Sequence, residues 1–398
     1  MTAAGMRIAL LAQCHLAAAC ASGGPPPGDG IPGDILRHGA VCDGRADDTQ
    51  ALIRAGQSAL EVFIAPGLTC RVTGPLAGGI RPGQRWYGGG TITTDDGSNF
   101  TVFPVAGKTD VTFDGLAARS GMLGASYGAA DARFIEFISG AHRGRAVDNR
   151  ISGFQQAIRV HGSTDSFIDD NEVTGAYGWG ISIQTGAHQA RVTRNRVSGT
   201  VHEHGIYASG SPADAIRALV VSDNTVSGST IDGIKLTHAD GAVVSGNTTS
   251  GNGGQGIYLT IGTNRADIRD NLAESNGDHG ILVYDGTTTS SDNLIAHNTV
   301  RGNRGHGILV SSAGSGSVVR TRVVDNEVEG NGADDGRDGG GVVVSGPATT
   351  RATIVEGNRI RRQRIGVHVA GGRDTAVDRN VCDECETSVV EAAAKPSN

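Results

Sequence analysis

Two short phrases hold most of the reactive side chains in this chain: Val201-His-Glu-His-Gly-Ile-Tyr207 and Asp232-Gly-Ile-Lys235. An imidazole, two carboxylates, a phenol and an ammonium are the groups that move protons and neutralise an anion. Lys235 is one of three lysines, with Lys108 and Lys395, and the only one within the repeats described below, so it is not a generic surface charge. Trp179 and Tyr258 flank the two phrases with aromatic surface suited to a sugar ring.

Equivalent residues are 23 to 28 positions apart in sequence, so something must bring them together. A repeat does so. Asn recurs at 149, 171, 195, 224, 247, 271, 298, 326, 358 and 380, and about ten residues after most of these comes Gly-Ile or a close variant. A period of this length reads as a solenoid whose turns bury their apolar faces only against their neighbours. Short alternating runs such as Ile181-Ser-Ile-Gln184 and Ile257-Tyr-Leu-Thr260 argue for strands, and no turn holds a ten-residue helical stripe. The fold expected is all-β, a right-handed parallel β-helix of ten or more turns. The 62 glycines suit tight corners with positive φ, and the Asn column reads as a structural ladder at corners. Asp148, Asp170, Asp223, Asp270 and Asp325, each preceding one of these Asn residues, read as solvated corner charges.

Aligning the turns on Gly-Ile gives three columns on one face. The first runs Gln156, Trp179, His204, Asp232, Gln255, His279, His306; the second runs Arg159, Ser182, Tyr207, Lys235, Tyr258, Leu282, Leu309; the third runs His161, Gln184, Ser209, Thr237, Thr260, Tyr284, Ser311. The catalytic candidates are His204, Tyr207, Lys235, Asp232 and Glu203, and the substrate-binding candidates are Trp179, Arg159, Gln255, Tyr258 and His279. His-Gly-Ile recurs at His279 and His306, so a histidine before glycine also reads as a preference of the repeat. The loop Ser211–Arg217 is expected to wall one side of the groove.

Three functions fit such a face. The first is a polysaccharide lyase or C5 epimerase that removes the proton α to a uronate carboxylate. Lys235 would neutralise that carboxylate or act as base, and His204 or Tyr207 would serve as base and acid. The second is a glycoside hydrolase using Glu203 and Asp232, whose adjacent turns allow the separation of about 5 Å that a retaining outcome needs. The third is a non-catalytic, cell-surface carbohydrate-binding solenoid. Elimination, hydrolysis and epimerisation leave different products, which separates them.

Charge and composition exclude other classes. A net charge of −7, a pI near 5.9 and the lack of a Lys/Arg cluster argue against nucleic acid as a partner. No metal cage is legible and no cofactor is expected, with calcium left open at the Asp column. Residues 1–20 read as an export signal, and Leu16-Ala-Ala-Ala-Cys20 as a lipoprotein box that would make a lipid on Cys20 the only membrane contact. Residues 21–33 read as a Gly/Pro-rich tether, and 34–398 as one β-helix domain with an N-terminal cap over 34–75. The protein would then be extracellular, periplasmic or lipid-anchored. Four cysteines remain, and an even number in an exported chain permits Cys42–Cys70 and Cys382–Cys385 disulfides, a metal or redox pair being the alternative for the latter.

Gly39-Ala40, Asp43-Gly44, Asp47-Asp48-Thr49 and Ala51, followed by Val62-Phe-Ile-Ala-Pro-Gly67, resemble the phrase that opens pectate-lyase-superfamily domains. The resemblance implies a pectin-lyase-like right-handed β-helix and activity on polysaccharide. Independently of it, Asp47 or Asp48 can cap a helix over about 49–58 that closes the end of the solenoid. Thr230-Ile-Asp-Gly-Ile-Lys235 and Arg304-Gly-His-Gly307 echo polygalacturonase phrases, but Gly253-Gly-Gln255 stands where that family carries paired aspartates. Tyr177-Gly-Trp-Gly-Ile-Ser-Ile183 starts like the alginate-epimerase phrase and lacks its Asp and His. Neither mechanism carries over intact.

Overall fold

The computed structural model describes residues 30–121, 131–332 and 339–391. The proposed export signal and lipid box lie outside them. Every strand pairing is parallel, and three long sheets run the length of the molecule with fourteen, thirteen and twelve strands, so the chain winds through about thirteen turns. One turn shows the pattern. Phe167–Asp169 lies in the thirteen-stranded sheet, Glu172–Thr174 in the fourteen-stranded sheet and Trp179–Gln184 in the twelve-stranded sheet. Ile168, Val173, Ile181 and Ile183 point inward and are fully buried or nearly so. The N-terminal turns are filled by an aromatic stack, Trp86–Phe103, Phe103–Phe134 and Phe134–Phe154, with ring centres 5.0 to 5.6 Å apart. Valine and isoleucine fill the later turns.

The Asn ladder is present and is structural. Each Asn from 149 to 358 donates its side-chain amide and its backbone N–H to the Oδ1 of the next, at 2.8 to 3.0 Å. The ladder residues face inward and are buried from Asn149 to Asn358, and it is the preceding residue that takes the left-handed bend: Asp148, Asp170, Arg194, Asp223, Gly246, Asp270, His297, Asp325, Gly357 and Arg379 all have φ between 51° and 66°. Asp and Gly recur there because short polar side chains and glycine tolerate that region best. The five aspartates expected as corner charges are all exposed. A second ladder, Asn252, Asn276, Asn303 and Asn331, escaped the sequence reading. Its signal was an Asn five residues after each of Asn247, Asn271, Asn298 and Asn326.

The glycine of the Gly-Ile phrase also has a reason other than the corner one. At Gly205 a Cβ would lie 2.2 Å from Val226 Cγ1, so glycine is set there by the close approach of two sheets and not by positive φ.

The helix Thr49–Ser58 packs Ala51, Leu52 and Ala55 into the N-terminal end of the core. Asp47 accepts from Thr49 N at 3.0 Å, whereas Asp48 turns away to accept from Val41 N and Cys42 N. Both expected disulfides are formed. Asp48 and the sulfurs of Cys42 and Cys70 lie close together, but the sulfurs are bonded to each other and offer no thiolate to a metal. Among the described residues no helix is long and apolar enough to cross a membrane.

Candidate active site

The register of the twelve-stranded sheet reproduces the three columns. Ser182 pairs with Tyr207, Tyr207 with Lys235, Lys235 with Tyr258, Tyr258 with Leu282 and Leu282 with Leu309. Parallel pairing in register stacks equivalent side chains about 4.8 Å apart, which turns a 25-residue sequence interval into direct contact.

The middle turns assemble one cluster. The Trp179 and Tyr207 rings stack at 5.7 Å between centres, with 24° between planes. The His204 ring lies 5.1 Å from that of Tyr207. Lys235 Nζ lies between two phenol rings, 5.9 Å from the centre of Tyr207 and 5.0 Å from that of Tyr258. Asp232 Oδ2 faces Lys235 Nζ at 4.0 Å and His204 Nδ1 at 3.2 Å. Glu203 Oε2 lies on the other side of the same imidazole, 3.6 Å from Nε2. Burial pushes the Tyr258 phenol up, and the Asp232 carboxylate adds to this, so Tyr258 stays a protonated donor through neutral pH.

The histidine column explains itself through backbone bonding. His204 Nδ1 accepts the N–H of Asp232 at 3.2 Å, His279 Nδ1 that of His306 at 2.9 Å, and His306 Nδ1 that of Gly340 at 3.1 Å. Asp232 Oδ1 does the same for Gln255 N at 2.9 Å. The column residue therefore satisfies the amide of its successor one turn on, which is the repeat preference seen at His279 and His306. The same Nδ1 also faces Asp232 Oδ2 at 3.2 Å, an ion pair when the ring is protonated. Nδ1 is thus enclosed by Asp232, and Nε2, toward Glu203, is the outer nitrogen of the ring.

Asp232 also changes role. It is 1% exposed and His204 is 4% exposed. Both Asp232 oxygens are committed, and His204 is interposed between it and Glu203. A retaining hydrolase needs both carboxylates facing the sugar, and Asp232 does not face it. Asp232 holds Lys235 and His204 in place instead.

The binding candidates divide. Trp179 and Tyr258 join the Lys235 cluster. Gln255 adjoins it and donates from Nε2 to Asp278 at 2.9 Å. His279 stacks flat on His306, with 2° between rings at 5.1 Å, further along the face. Arg159 is held elsewhere: Nη1 bonds Glu136 at 2.9 Å and Nε bonds Gln184 at 2.9 Å, three register steps from Lys235. Burial, then the neighbouring Arg133, lowers the Arg159 guanidinium's affinity for its proton. Glu136 and Asp278 were missed by the sequence reading; Glu136 had a signal in its place beside Arg159 in the second column. The loop after Ser209 does not stand free: Ile216–Arg217 pairs with Ala239–Asp240, and Asp214 meets His188 at 3.2 Å. A cleft of about 820 Å³ lies elsewhere, on the fourteen-stranded sheet near Arg71, Asp95 and Arg119. Within the cluster Trp179, Tyr207, Lys235 and Tyr258 are half-buried, while His204 and Asp232 are buried beneath them.

Fold and register together define a right-handed parallel β-solenoid with one side-chain-rich face. The right handed beta helix region family matches residues 134–241 and 179–352, more than half of the chain, and the chain belongs to that family. No curated protein matches it in sequence. Among solved structures it is similar to the A-module of the Azotobacter vinelandii mannuronan C-5 epimerase AlgE6, at 15% identity over 88% of this chain and 98% of that one, with a TM-score of 0.65. It is similar to the Streptococcus pneumoniae surface adhesin PfbA, at 13% identity over 91% and 92%, with a TM-score of 0.58. The Dettilon tailspike protein gp208 matches at 14% identity over 86% and 68%, with a TM-score of 0.58. At such identities the likeness is one of fold.

Proposed function

We propose that this is an exported polysaccharide-active enzyme that abstracts the proton α to a uronate carboxylate, as a lyase or C5 epimerase. The observation that carries the reading is Lys235 held between Tyr207 and Tyr258 by a buried aspartate. Lys235 neutralises the substrate carboxylate, which makes the adjacent C5–H acidic. Tyr207, stacked on Trp179, takes that proton in its phenolate form, with the Lys235 ammonium as the neighbouring cation. In elimination the electron pair forms the C4–C5 double bond as the glycosidic C4–O bond breaks, and the protonated Tyr258 supplies the leaving oxygen with its proton. In epimerisation Tyr207 keeps the abstracted proton and the protonated Tyr258, on the other side of Lys235, delivers its own to the opposite face of C5. His204 and Asp232 hold the two working groups in position. The scheme uses no bound metal, and parallel assays with calcium and with a chelator test that choice.

The similar folds include an alginate-modifying enzyme and a surface adhesin, which supports a polysaccharide partner and an exported location for this chain. The test is incubation with uronate and neutral polysaccharides, read by near-ultraviolet absorbance, reducing ends and exchange of C5 protons with solvent. Absorbance or exchange that is lost in Lys235→Ala supports the reading. Reducing ends without absorbance, or binding with no product, overturns it in favour of hydrolysis or of a binding protein.

A further inference from the structure

Resting on that reading, we infer that the glycan is sparsely charged: one uronate sits at Lys235, and an uncharged sugar with an apolar substituent follows it over Leu282 and Leu309. A polymer lying along the solenoid axis meets a new floor side chain at every turn, about 4.8 Å apart. Beyond Lys235 the floor continues as Tyr258, Leu282, Leu309 and Val343 in unbroken register. Leu309 is half-buried and is the apolar side chain of the row with surface left to cover, since Leu282 is 6% exposed and Val343 3%. Alongside run Tyr284, Ser311 and Ser345, half-buried hydroxyls that match those of a neutral sugar.

Cations are absent where a polyuronate would need them. Among the described residues the three columns carry no Lys or Arg from Gln255 to Ser345, and Arg304 stands on the outer turn, two residues ahead of His306. On the other side of Lys235, Arg159 is already paired with Glu136. Lys235 itself faces Asp232, the rim adds Glu203 and Asp278, and the chain carries a net charge of −7. A homopolymer of uronates brings a carboxylate to each step. Those over Leu282 and Leu309 would lose water and gain no partner, and the whole polyanion would meet an acidic rim. A 6-deoxy or O-acetylated sugar avoids both costs, and its methyl group covers Leu309.

The test measures binding and turnover by the full chain on two probes. One is sodium polymannuronate; the other is a polymer with one glucuronate and one 6-deoxyhexose in each repeat. The expected result is preference for the second. Leu309→Lys should lower affinity for the mixed polymer by about tenfold while improving polymannuronate, and Leu309→Ala should lower affinity for the mixed polymer without improving polymannuronate. Lys235-dependent turnover that favours polymannuronate, or indifference of both probes to Leu309→Lys in a chain with unchanged melting, overturns this inference and leaves the proposed function standing. Failure of both probes to bind or react overturns the two together.

Discussion

Asp232 meets His204 twice across one turn of the solenoid, through its backbone N–H and through Oδ2, both 3.2 Å from Nδ1. The imidazole thereby completes the backbone bonding of the next turn while its other nitrogen points toward Glu203. Removing it in His204→Ala leaves a buried amide without its acceptor, at a cost of about 1–3 kcal/mol. The expected outcome is a lower melting temperature, with partial recovery in His204→Asn if the shorter amide reaches the same N–H. A His204→Ala chain that melts unchanged would remove the positioning role.

Lys235 is tested separately from stability. Lys235→Ala should lower kcat/KM about 10²- to 10³-fold, the range for losing one preorganised charge partner of a developing anion. Tyr207→Phe should act on kcat with little change in KM, since the ring surface over Trp179 is kept. Circular dichroism of both variants should match the parent; equal activity would displace the site from this cluster.

The ladder carries a large single-residue stability term. Asn298 accepts from Asn271 N and its amide, and donates to Ile268 O, Ala296 O and Asn326 Oδ1. Asn298→Ala orphans several buried groups at once and should cost about 2–4 kcal/mol, read by denaturant unfolding. Exposed Asp270→Ala, next to the same ladder, should cost far less and serves as the control.

The Cys42–Cys70 disulfide closes a 28-residue interval at the capping helix. Loop-closure entropy for that length gives about 3–4 kcal/mol. Paired Cys42→Ser and Cys70→Ser substitutions should lower the melting temperature, and the first protection lost in hydrogen exchange should be at Thr49–Ser58.

Asp285 gives a pH signature. Its carboxyl is fully buried, which raises its pKa, but bonds from Gly262 N, Thr288 N, Thr288 Oγ1 and Thr287 N outweigh the burial and hold it below the ordinary 3.8. A depressed folded pKa contributes stability above the ordinary value and loses it as pH falls through the folded one. Asp285→Asn should therefore be less stable than the parent at neutral pH, and the gap should close below pH 3.8. A gap that stays constant with pH would show that the charge plays no part.

The repeat was legible because register in a parallel solenoid is written in one dimension. Once Gly-Ile was aligned, the neighbours of Tyr207 and Lys235 followed without further information, and the capping helix, the disulfide pairs and the Asn ladder followed from local rules. What failed in the sequence reading failed for a common reason: a side chain's role depends on what its atoms reach, not on its column. Arg159 stood in the right column but is taken by Glu136. Asp232 looked like a hydrolytic carboxylate but is buried beneath His204. His204 stood in the column as a free imidazole, yet its Nδ1 is enclosed by Asp232.

By itself, then, the sequence determined the solenoid, its period and which side chains share the outer face, since these depend on periodic burial and on neighbours a fixed interval away. Only the tertiary structure decided which of those side chains face the open groove and which are spent on the frame. That choice rests on angles and distances of a few ångströms, on which hydrogen-bonding atom points inward and which outward, and residue identity alone does not carry it.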